Sequence, residues 1–196
     1  HTAFDNHWTK DHKDFYLLDS LDRIQPPLGT DWTDVAQLDW TNKALWAEMN
    51  DALKYWVEIA NIDGYRCDVA EKVPTEYWNE ARTELDKIKP VFMLAEAEKP
   101  EHHEAAFDMS YGWEFMHLMN QVATGKDSMD VFETYMAKED TNFVASAYRM
   151  MFITNHDENS WNGTVFERYG DAHQAYAVLA FTINGMPLVY SGQEAG

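Results

Sequence analysis

An α/β fold built on a parallel β-sheet is predicted by three features of the sequence. Short, almost continuously apolar runs alternate with longer segments in which apolar residues recur every three or four positions. Strands of this kind are typical of a parallel sheet whose two faces are covered by helices. Polar residues follow directly after the apolar runs, where parallel folds carry their sites. No internal repeat or linker divides the sequence.

Five strands alternate with helices in this prediction. One strand ends near Asp68, and the others cover residues 91–95, 106–111, 150–154 and 188–190. Helices are predicted over residues 42–60, 75–87, 100–106, 114–123, 128–137 and 172–183, with Thr75 as a candidate cap.

Residues 1–40 form a separate region in the prediction. They are rich in His, Asp, Trp and Phe, and Pro26, Pro27 and Gly29 interrupt any regular pattern. Loops of this length are usually functional or disordered, and the aromatic content argues against disorder. We therefore expect a long functional loop, followed by the α/β domain over residues 41–196.

Charge and hydropathy exclude some classes of partner. With 34 acidic and 15 basic residues, the net charge of -19 repels polyanions, so nucleic acid and anionic membrane surfaces are poor partners. No apolar run approaches about 18 residues, so no membrane-spanning helix is expected. Cys67 is the only cysteine, which excludes an internal disulfide and favours a buried structural thiol.

Three predicted strand ends carry a carboxylate: Asp68, Glu96 and Asp157. Two carboxylates that flank one bond are the minimum equipment for glycoside hydrolysis. Arg66 lies on the same strand face as Asp68 and would favour its ionised form. Glu96 has no cationic neighbour in sequence, so the other carboxylates should raise its pKa, as a general acid requires. The alternatives are a structural ion pair between Arg66 and Asp68, or acidic side chains that are merely solvated.

Four segments resemble the α-amylase family of retaining glycoside hydrolases. Residues 64–68 (G-Y-R-C-D) are similar to its G-F-R-x-D segment, and residues 92–96 (F-M-L-A-E) resemble its apolar strand that ends in the acid/base glutamate. Residues 152–157 (F-I-T-N-H-D) are similar to its F-x-x-N-H-D segment, and residues 185–194 resemble the segment around its last barrel strand. The segments occur in the family's order and span essentially the whole chain.

The resemblance implies a role for each carboxylate. Asp68 would be the nucleophile, Glu96 the acid/base, and Asp157 the group that grips sugar hydroxyls and stabilises the transition state. Arg66 would orient Asp68. Glu98, two residues after Glu96 on the same strand face, is a rival for the acid/base role.

Substrate-binding residues are also implied by the resemblance. His156 and His1 would form hydrogen bonds with the sugar where the bond breaks, and Tyr111, at a predicted strand end, is a further candidate. Aromatic side chains can also stack on sugar rings. The tryptophans considered for a sugar groove, with core packing as the alternative, are Trp32, Trp40 and Trp113.

The family fold is a (β/α)₈ barrel, of which this sequence holds the equivalents of strands four to eight and the end of the third. A complete barrel needs about 250 residues, so we expect a fragment of a longer protein, inactive alone. No cofactor is required for the chemistry, but a structural calcium is common in the family. Asp31, Asp34 and Asp39 are its candidate ligands.

The expected activity is retaining hydrolysis of α-1,4 bonds in starch-like glucans or malto-oligosaccharides. The alternatives are a transglycosylase of the same family and a carbohydrate-binding relative without turnover. Action on chain ends or interiors and oligomeric state stay open. The compartment is also open, with secretion or an extracytoplasmic location favoured.

Overall fold

The computed structural model describes residues 4–195, which form two compact units. The first unit contains the described residues up to Ile62 together with Thr83–Lys89. The second contains Asp63–Arg82 and the described residues from Pro90 onward. None of the helices in the described part of the chain is long and apolar enough to cross a membrane.

The first unit packs an irregular segment around its own apolar cluster. Its helices are α1 (His7–Asp11), a 3₁₀ helix (Lys13–Phe15) and α2 (Lys43–Ala60). The cluster consists of buried side chains from the loop and from α2: Phe15, Tyr16, Ala36, Leu38 and Leu45. The long aromatic loop is therefore ordered by burial of its own apolar residues. The proposed domain boundary after residue 40 stays a prediction.

The second unit contains one sheet of five parallel strands in sequence order, which confirms the predicted α/β fold. The strands are β1 (Gly64–Cys67), β2 (Phe92–Ala95), β3 (Met109–Tyr111), β4 (Tyr148–Met151) and β5 (Met186–Pro187). The helices that alternate with them are α3 (Thr75–Asp86), α4 (Trp113–Ala123), α5 (Asp130–Asn142), α6 (His156–Trp161), α7 (Val165–Tyr169) and α8 (His173–Thr182). Short 3₁₀ helices cover Ala70–Lys72, Pro100–His103 and Gly170–Ala172.

Large aromatic and methionine side chains fill the core of the second unit. Burying side chains of this size removes much apolar surface from water, which is the main driving force for folding. The core residues come from β3, β4 and the helices from α4 onward: Met109, Tyr111, Phe115, Met116, Met119, Tyr135, Met150, Met151, Phe152, Ile153, Val165, Tyr169, Tyr176 and Ala180. This core fixes the strands whose ends carry the polar residues.

Several predicted boundaries are wrong. Strand β4 begins at Tyr148, two residues early, because it includes the buried Arg149, which a search for apolar runs excludes. Strand β5 covers Met186–Pro187 rather than residues 188–190. Pro187 cannot donate a backbone hydrogen bond, and Leu188 N–H donates to the Met151 carbonyl at 2.8 Å, at the last residue of β4. Among residues 4–195, strand pairing of this segment is recorded only at Met186 and Pro187.

The helix predicted over residues 100–106 also differs, because the structure has a short 3₁₀ helix there with two adjacent histidines. His102 and His103 lie in a 3₁₀ helix and are buried. The hydroxyl of Thr75, the candidate cap, lies 3.0 Å from His102 Nδ1, and Ser110 Oγ lies 2.7 Å from His103 Nε2. Burial lowers the pKa of both rings, that of His103 to about 4, so both are neutral structural groups.

Strand β1 separates a polar face from a buried one. Arg66 points to one face, and Cys67 to the opposite face, where its side chain is buried and burial raises the pKa of its thiol to about 12. Gly64 pairs with Phe92 at the start of β2. A Cβ atom on Gly64 would lie 2.2 Å from the Phe92 carbonyl oxygen, so the close approach of these strands requires glycine.

Replacing Gly64 should therefore separate β1 from β2. We expect Gly64→Ala to lower the free energy of unfolding by about 2 kcal/mol, measured by chemical denaturation. Gly112→Ala is the comparison variant, because its new Cβ would meet the Met151 sulfur, on a flexible side chain, at 2.9 Å and the nearest backbone atom, the Met150 carbonyl oxygen, at 3.1 Å rather than 2.2 Å. A loss at Gly64 no larger than that at Gly112 would contradict this account.

Candidate active site

The carboxyl ends of the parallel strands bring polar side chains from distant parts of the sequence together. Asp68 directly follows β1, Glu96 directly follows β2, and Tyr111 is the last residue of β3. His156 and Asp157 open α6, shortly after β4. In a parallel sheet these ends share one edge, which is where such folds build their sites.

The Arg66 guanidinium connects three of these strand ends. Its Nη1 donates to Asp68 Oδ1, its Nη2 lies 2.7 Å from Glu96 Oε1, and its Nε donates to the Tyr111 hydroxyl at 3.2 Å. A guanidinium is planar and presents its donors in a rigid fork, so one side chain fixes the positions of all three partners. The simple ion pair considered from the sequence is thus part of a larger arrangement.

Arg66 and Tyr111 each keep one protonation state at neutral pH. Burial lowers the pKa of Arg66, but its hydrogen bonds with Tyr111 and Asp68 outweigh that effect and hold the pKa above its ordinary value. Burial raises the pKa of Tyr111, and the Glu96 and Asp157 carboxylates add to the increase against the opposing effect of Arg66. The guanidinium therefore stays charged and the phenol stays protonated.

Glu96 has a raised pKa, although the reason inferred from the sequence is incomplete. Burial is the largest cause, and the negative charges of Asp68 and Asp157 act in the same direction. The Val69 N–H, which donates to Glu96 Oε2 at 2.7 Å, and the charge of Arg66 oppose the increase. A cationic neighbour is therefore present in space, and desolvation outweighs it.

Val69 adopts a backbone conformation that is rare for its side chain. Its φ of 46° and ψ of 41° lie in the left-handed region, which β-branched residues avoid. Strain of this kind costs roughly 1–3 kcal/mol and persists where surrounding structure enforces it. Here the conformation accompanies the hydrogen bond from the Val69 N–H to Glu96. Sequence analysis missed this donor, and nothing in the sequence signals it.

Helix α6 presents two candidate residues from a firmly held start. The buried Asn155 accepts from the Glu158 N–H at 2.7 Å and caps the helix. His156 Nε2 and Asp157 Oδ2, in the first turn, lie 3.3 Å apart. Sequence analysis missed α6, although a capping residue followed three positions later by glutamate is a recognised signal of a helix start.

An adjacent face of α6 is anchored to the protein. Glu158 is buried, accepts from the Asn162 amide at 3.0 Å, and lies 3.5 Å from Arg168 Nη1. Arg168 also donates to Asn159 Oδ1 and to the Gly163 carbonyl, both at 3.2 Å. These contacts fix the rotation of a six-residue helix that would be unstable alone.

Glu98, the rival acid/base candidate, lies in a different environment from Glu96. Its two carboxylate oxygens accept from the Glu114 N–H at 3.0 and 3.1 Å, at the start of α4. The same carboxylate forms an ion pair with the buried Arg149, with 2.7 Å between Oε1 and Nη2. Arg149 in turn lies 2.9 Å from Glu139 and donates to Ser110 Oγ. Glu98 thus neutralises the buried Arg149 and accepts a hydrogen bond from the first turn of α4.

The tryptophan candidates have different surroundings. Trp113 is half-buried, stacks on Tyr111 with ring centroids 5.6 Å apart, and meets Phe152 edge-on at 4.9 Å, so it supports the site as part of its wall. Trp40 packs against the apolar cluster of the first unit, and Trp32, in the same unit, is 38% exposed.

Two remaining expectations concern a calcium site and His1. Among residues 4–195 there is no group of three His, Cys, Asp or Glu side chains that could hold a metal ion. Asp39 instead accepts from the Thr41 N–H and hydroxyl at 3.0 and 2.7 Å. The structural calcium, with Asp31, Asp34 and Asp39 as candidate ligands, therefore stays a prediction, and no chemical step is derived through it. His1 lies outside the described residues.

Comparison with known proteins identifies the family of the chain. The family model described as the alpha amylase catalytic domain matches residues 4–196. Alpha-amylase MalA of Haloarcula japonica is 26% identical over 189 residues, which are 95% of this chain and 28% of that protein. A cyclomaltodextrin glucanotransferase of a Bacillus species is 25% identical over 82% of this chain and 24% of that protein.

Solved structures give the same result. The crystal structure of an alpha-amylase from Lactobacillus plantarum superposes with a TM-score of 0.87 at 28% identity, covering 99% of this chain and 49% of that one. The chain thus spans about half of that structure and less than a third of the two relatives. The match nevertheless extends over nearly every residue, so the chain belongs to the alpha-amylase family, within its catalytic domain.

Proposed function

We propose that the protein hydrolyses α-1,4-glucosidic bonds of starch-like glucans or malto-oligosaccharides with retention of configuration. The observation that carries the proposal is the Arg66 guanidinium, which contacts both Asp68 and Glu96. Two carboxylates held on one guanidinium must be close together, as a retaining mechanism requires at a separation of about 5 to 5.5 Å. The activity is proposed for a protein that contains the rest of the barrel. The 196-residue chain alone is still expected to be inactive.

In the first proposed step, the Asp68 carboxylate attacks the anomeric carbon while Glu96 donates its proton to the oxygen of the leaving sugar. A glycosyl ester forms on Asp68 as the glycosidic bond breaks. In the second step Glu96 takes a proton from water, the water oxygen attacks the same carbon, and the bond to Asp68 breaks. Two inversions give net retention and return both carboxyl groups to their starting states.

The environments of the two carboxyl groups support this division of roles. Arg66 donates to Asp68, which orients a carboxylate that is 56% exposed. Glu96 is more buried and has a raised pKa, which favours the protonated form needed by a general acid. Asp157 would bind sugar hydroxyls, and His156, Tyr111 and His1 would add hydrogen bonds to the sugar.

Two alternatives remain. A transglycosylase uses the same two carboxylates and replaces water with a sugar in the second step, and the similarity to a cyclomaltodextrin glucanotransferase favours considering it. Products from maltoheptaose distinguish these activities, because transfer yields chains longer than the substrate. A carbohydrate-binding relative without turnover is less well supported, since Asp68, Glu96 and Asp157 are all retained.

Removal of the proposed nucleophile should abolish turnover. In the full-length protein we expect Asp68→Asn to lower kcat by roughly 10⁴-fold or more, because an amide cannot form the glycosyl ester. Starch hydrolysis and the anomeric configuration of fresh product, followed by NMR, are the measurements. Asp171→Asn, an exposed acid in the 3₁₀ helix Gly170–Ala172, is the matched control. Near-normal hydrolysis by Asp68→Asn would rule out the assignment.

Glutamine substitutions separate Glu96 from Glu98. Glu96→Gln should lower kcat by about 10³-fold or more, since it removes the transferable proton. Glu98→Gln should instead lower the free energy of unfolding by about 1–3 kcal/mol, because an uncharged amide replaces a carboxylate that neutralises buried Arg149. Kinetics and chemical denaturation of both variants are the measurements. The opposite pattern would give the acid/base role to Glu98.

The pH dependence of kcat/KM should change when the charge of Asp157 is removed. The general acid must be protonated, so kcat/KM falls as pH rises through the raised pKa of Glu96. Asp157→Asn removes a negative charge that raises this pKa, so the residual activity should be lost at lower pH than in the unsubstituted protein. Asp171→Asn serves again as the control. An alkaline limb that stays in place or moves upward would contradict the proposed coupling.

A further inference from the structure

Trp161, the last residue of α6, is a large aromatic side chain without an assigned role. Its side chain is 81% exposed, the highest value among the exposed large apolar residues of the described chain. It contributes neither to the apolar cluster of its unit nor to the contacts that anchor α6. In the described part of the chain, exposure on this scale leaves most of the indole surface open to a ligand.

Helix geometry places Trp161 beside Asp157. The two residues are four positions apart in α6, so they lie on the same face, one turn apart, with Cβ atoms about 5–6 Å from each other. Side chains in a helix tilt toward its N-terminus, so the indole leans back over the turn that carries Asp157. The two side chains therefore face the same space at the carboxyl edge of the sheet.

The anchoring of α6 makes this orientation fixed. Buried Glu158 and its partners Asn162 and Arg168 hold an adjacent face of the helix against the protein. The helix therefore cannot rotate to bury Trp161 without breaking a buried ion pair, a change that is strongly unfavourable. A rigid, exposed aromatic surface one turn from a carboxylate is suited to a ligand with a polar edge and an apolar face.

We propose that Trp161 is a stacking platform for a sugar ring of the glucan chain, next to the ring whose hydroxyls Asp157 binds. A pyranose ring presents C–H groups on its faces and hydroxyls around its edge, so an indole can cover a face while carboxylates take the edge. This inference rests on the proposed function, and it specifies the substrate as a chain that extends beyond the cleaved bond rather than a disaccharide. Trp161 thereby sets the preference for longer chains.

The test compares substrates of different length in the full-length protein. The ratio of kcat/KM for maltoheptaose to that for maltotriose should fall about tenfold in Trp161→Ala, a loss of ~1.4 kcal/mol of binding. Trp161→Phe, which retains a flat ring, should keep most of the preference, whereas Trp161→Leu, which is apolar but not flat, should lose it. An unchanged ratio in Trp161→Ala, with or without a lower melting temperature, overturns the proposal.

Phe181→Ala is the control for loss of an exposed aromatic side chain. Phe181 is 54% exposed on α8, which leads into the start of β5, so it lies toward the opposite edge of the sheet. Its substitution should leave the ratio unchanged. A fall equal to that of Trp161→Ala would indicate a nonspecific effect and would also overturn the proposal.

A binding measurement separates this inference from the proposed function. Calorimetric titration of Asp68→Asn with maltoheptaose should give a Kd that rises about tenfold when Trp161→Ala is added. This result would support the platform even if no turnover of any glucan were found, in which case only the hydrolytic function would fail. Binding that is unaffected by Trp161→Ala overturns the platform and leaves the hydrolytic function to the kinetic tests. Absence of any binding overturns both.

Discussion

The arrangement of the site depends on the three contacts of the Arg66 guanidinium. This side chain reaches Asp68 on its own strand, Glu96 after the next strand, and Tyr111 on the third. These contacts exist only if β1 and β2 keep their register, in which Arg66 lies beside Leu94. A shift by one residue would turn Arg66 to the opposite face. The register of the sheet and the geometry of the site are therefore one constraint.

The site also brings negatively charged side chains close together, and their repulsion opposes folding. The Asp68 and Asp157 carboxylates both lie within electrostatic reach of Glu96, and Arg66 is the cation that contacts Asp68 and Glu96. The left-handed backbone of Val69 adds strain beside them. Both features oppose folding, and enzymes often carry such costs at their sites. The large core of the second unit supplies the stability that offsets them.

Sequence rules predicted the strand ends well because those rules depend on apolar runs. Asp68 and Glu96 each follow such a run, so the pattern of the sequence is enough to place them at the same sheet edge. The rules failed where charge is buried. Buried Arg149 is neutralised by Glu98 and Glu139, and a charged residue in a strand interrupts the apolar pattern.

The different surroundings of Glu96 and Glu98 could not be predicted from the sequence either. Alternation along a strand would put them on one face, but β2 ends at Ala95, and the chain then turns toward the 3₁₀ helix that begins at Pro100. Once the strand ends, spacing in sequence no longer determines direction in space. Trp161 escaped notice for a similar reason, since α6 is too short to show a periodic pattern.

The buried thiol of Cys67 offers a way to observe the strand that carries the candidate nucleophile. It is the only cysteine in the sequence, it lies on the face of β1 opposite Arg66, and burial suppresses its ionisation. An alkylating reagent can reach it only when β1 separates from its neighbours. The rate of alkylation therefore measures how often this part of the sheet opens, without an introduced label and without reference to catalysis.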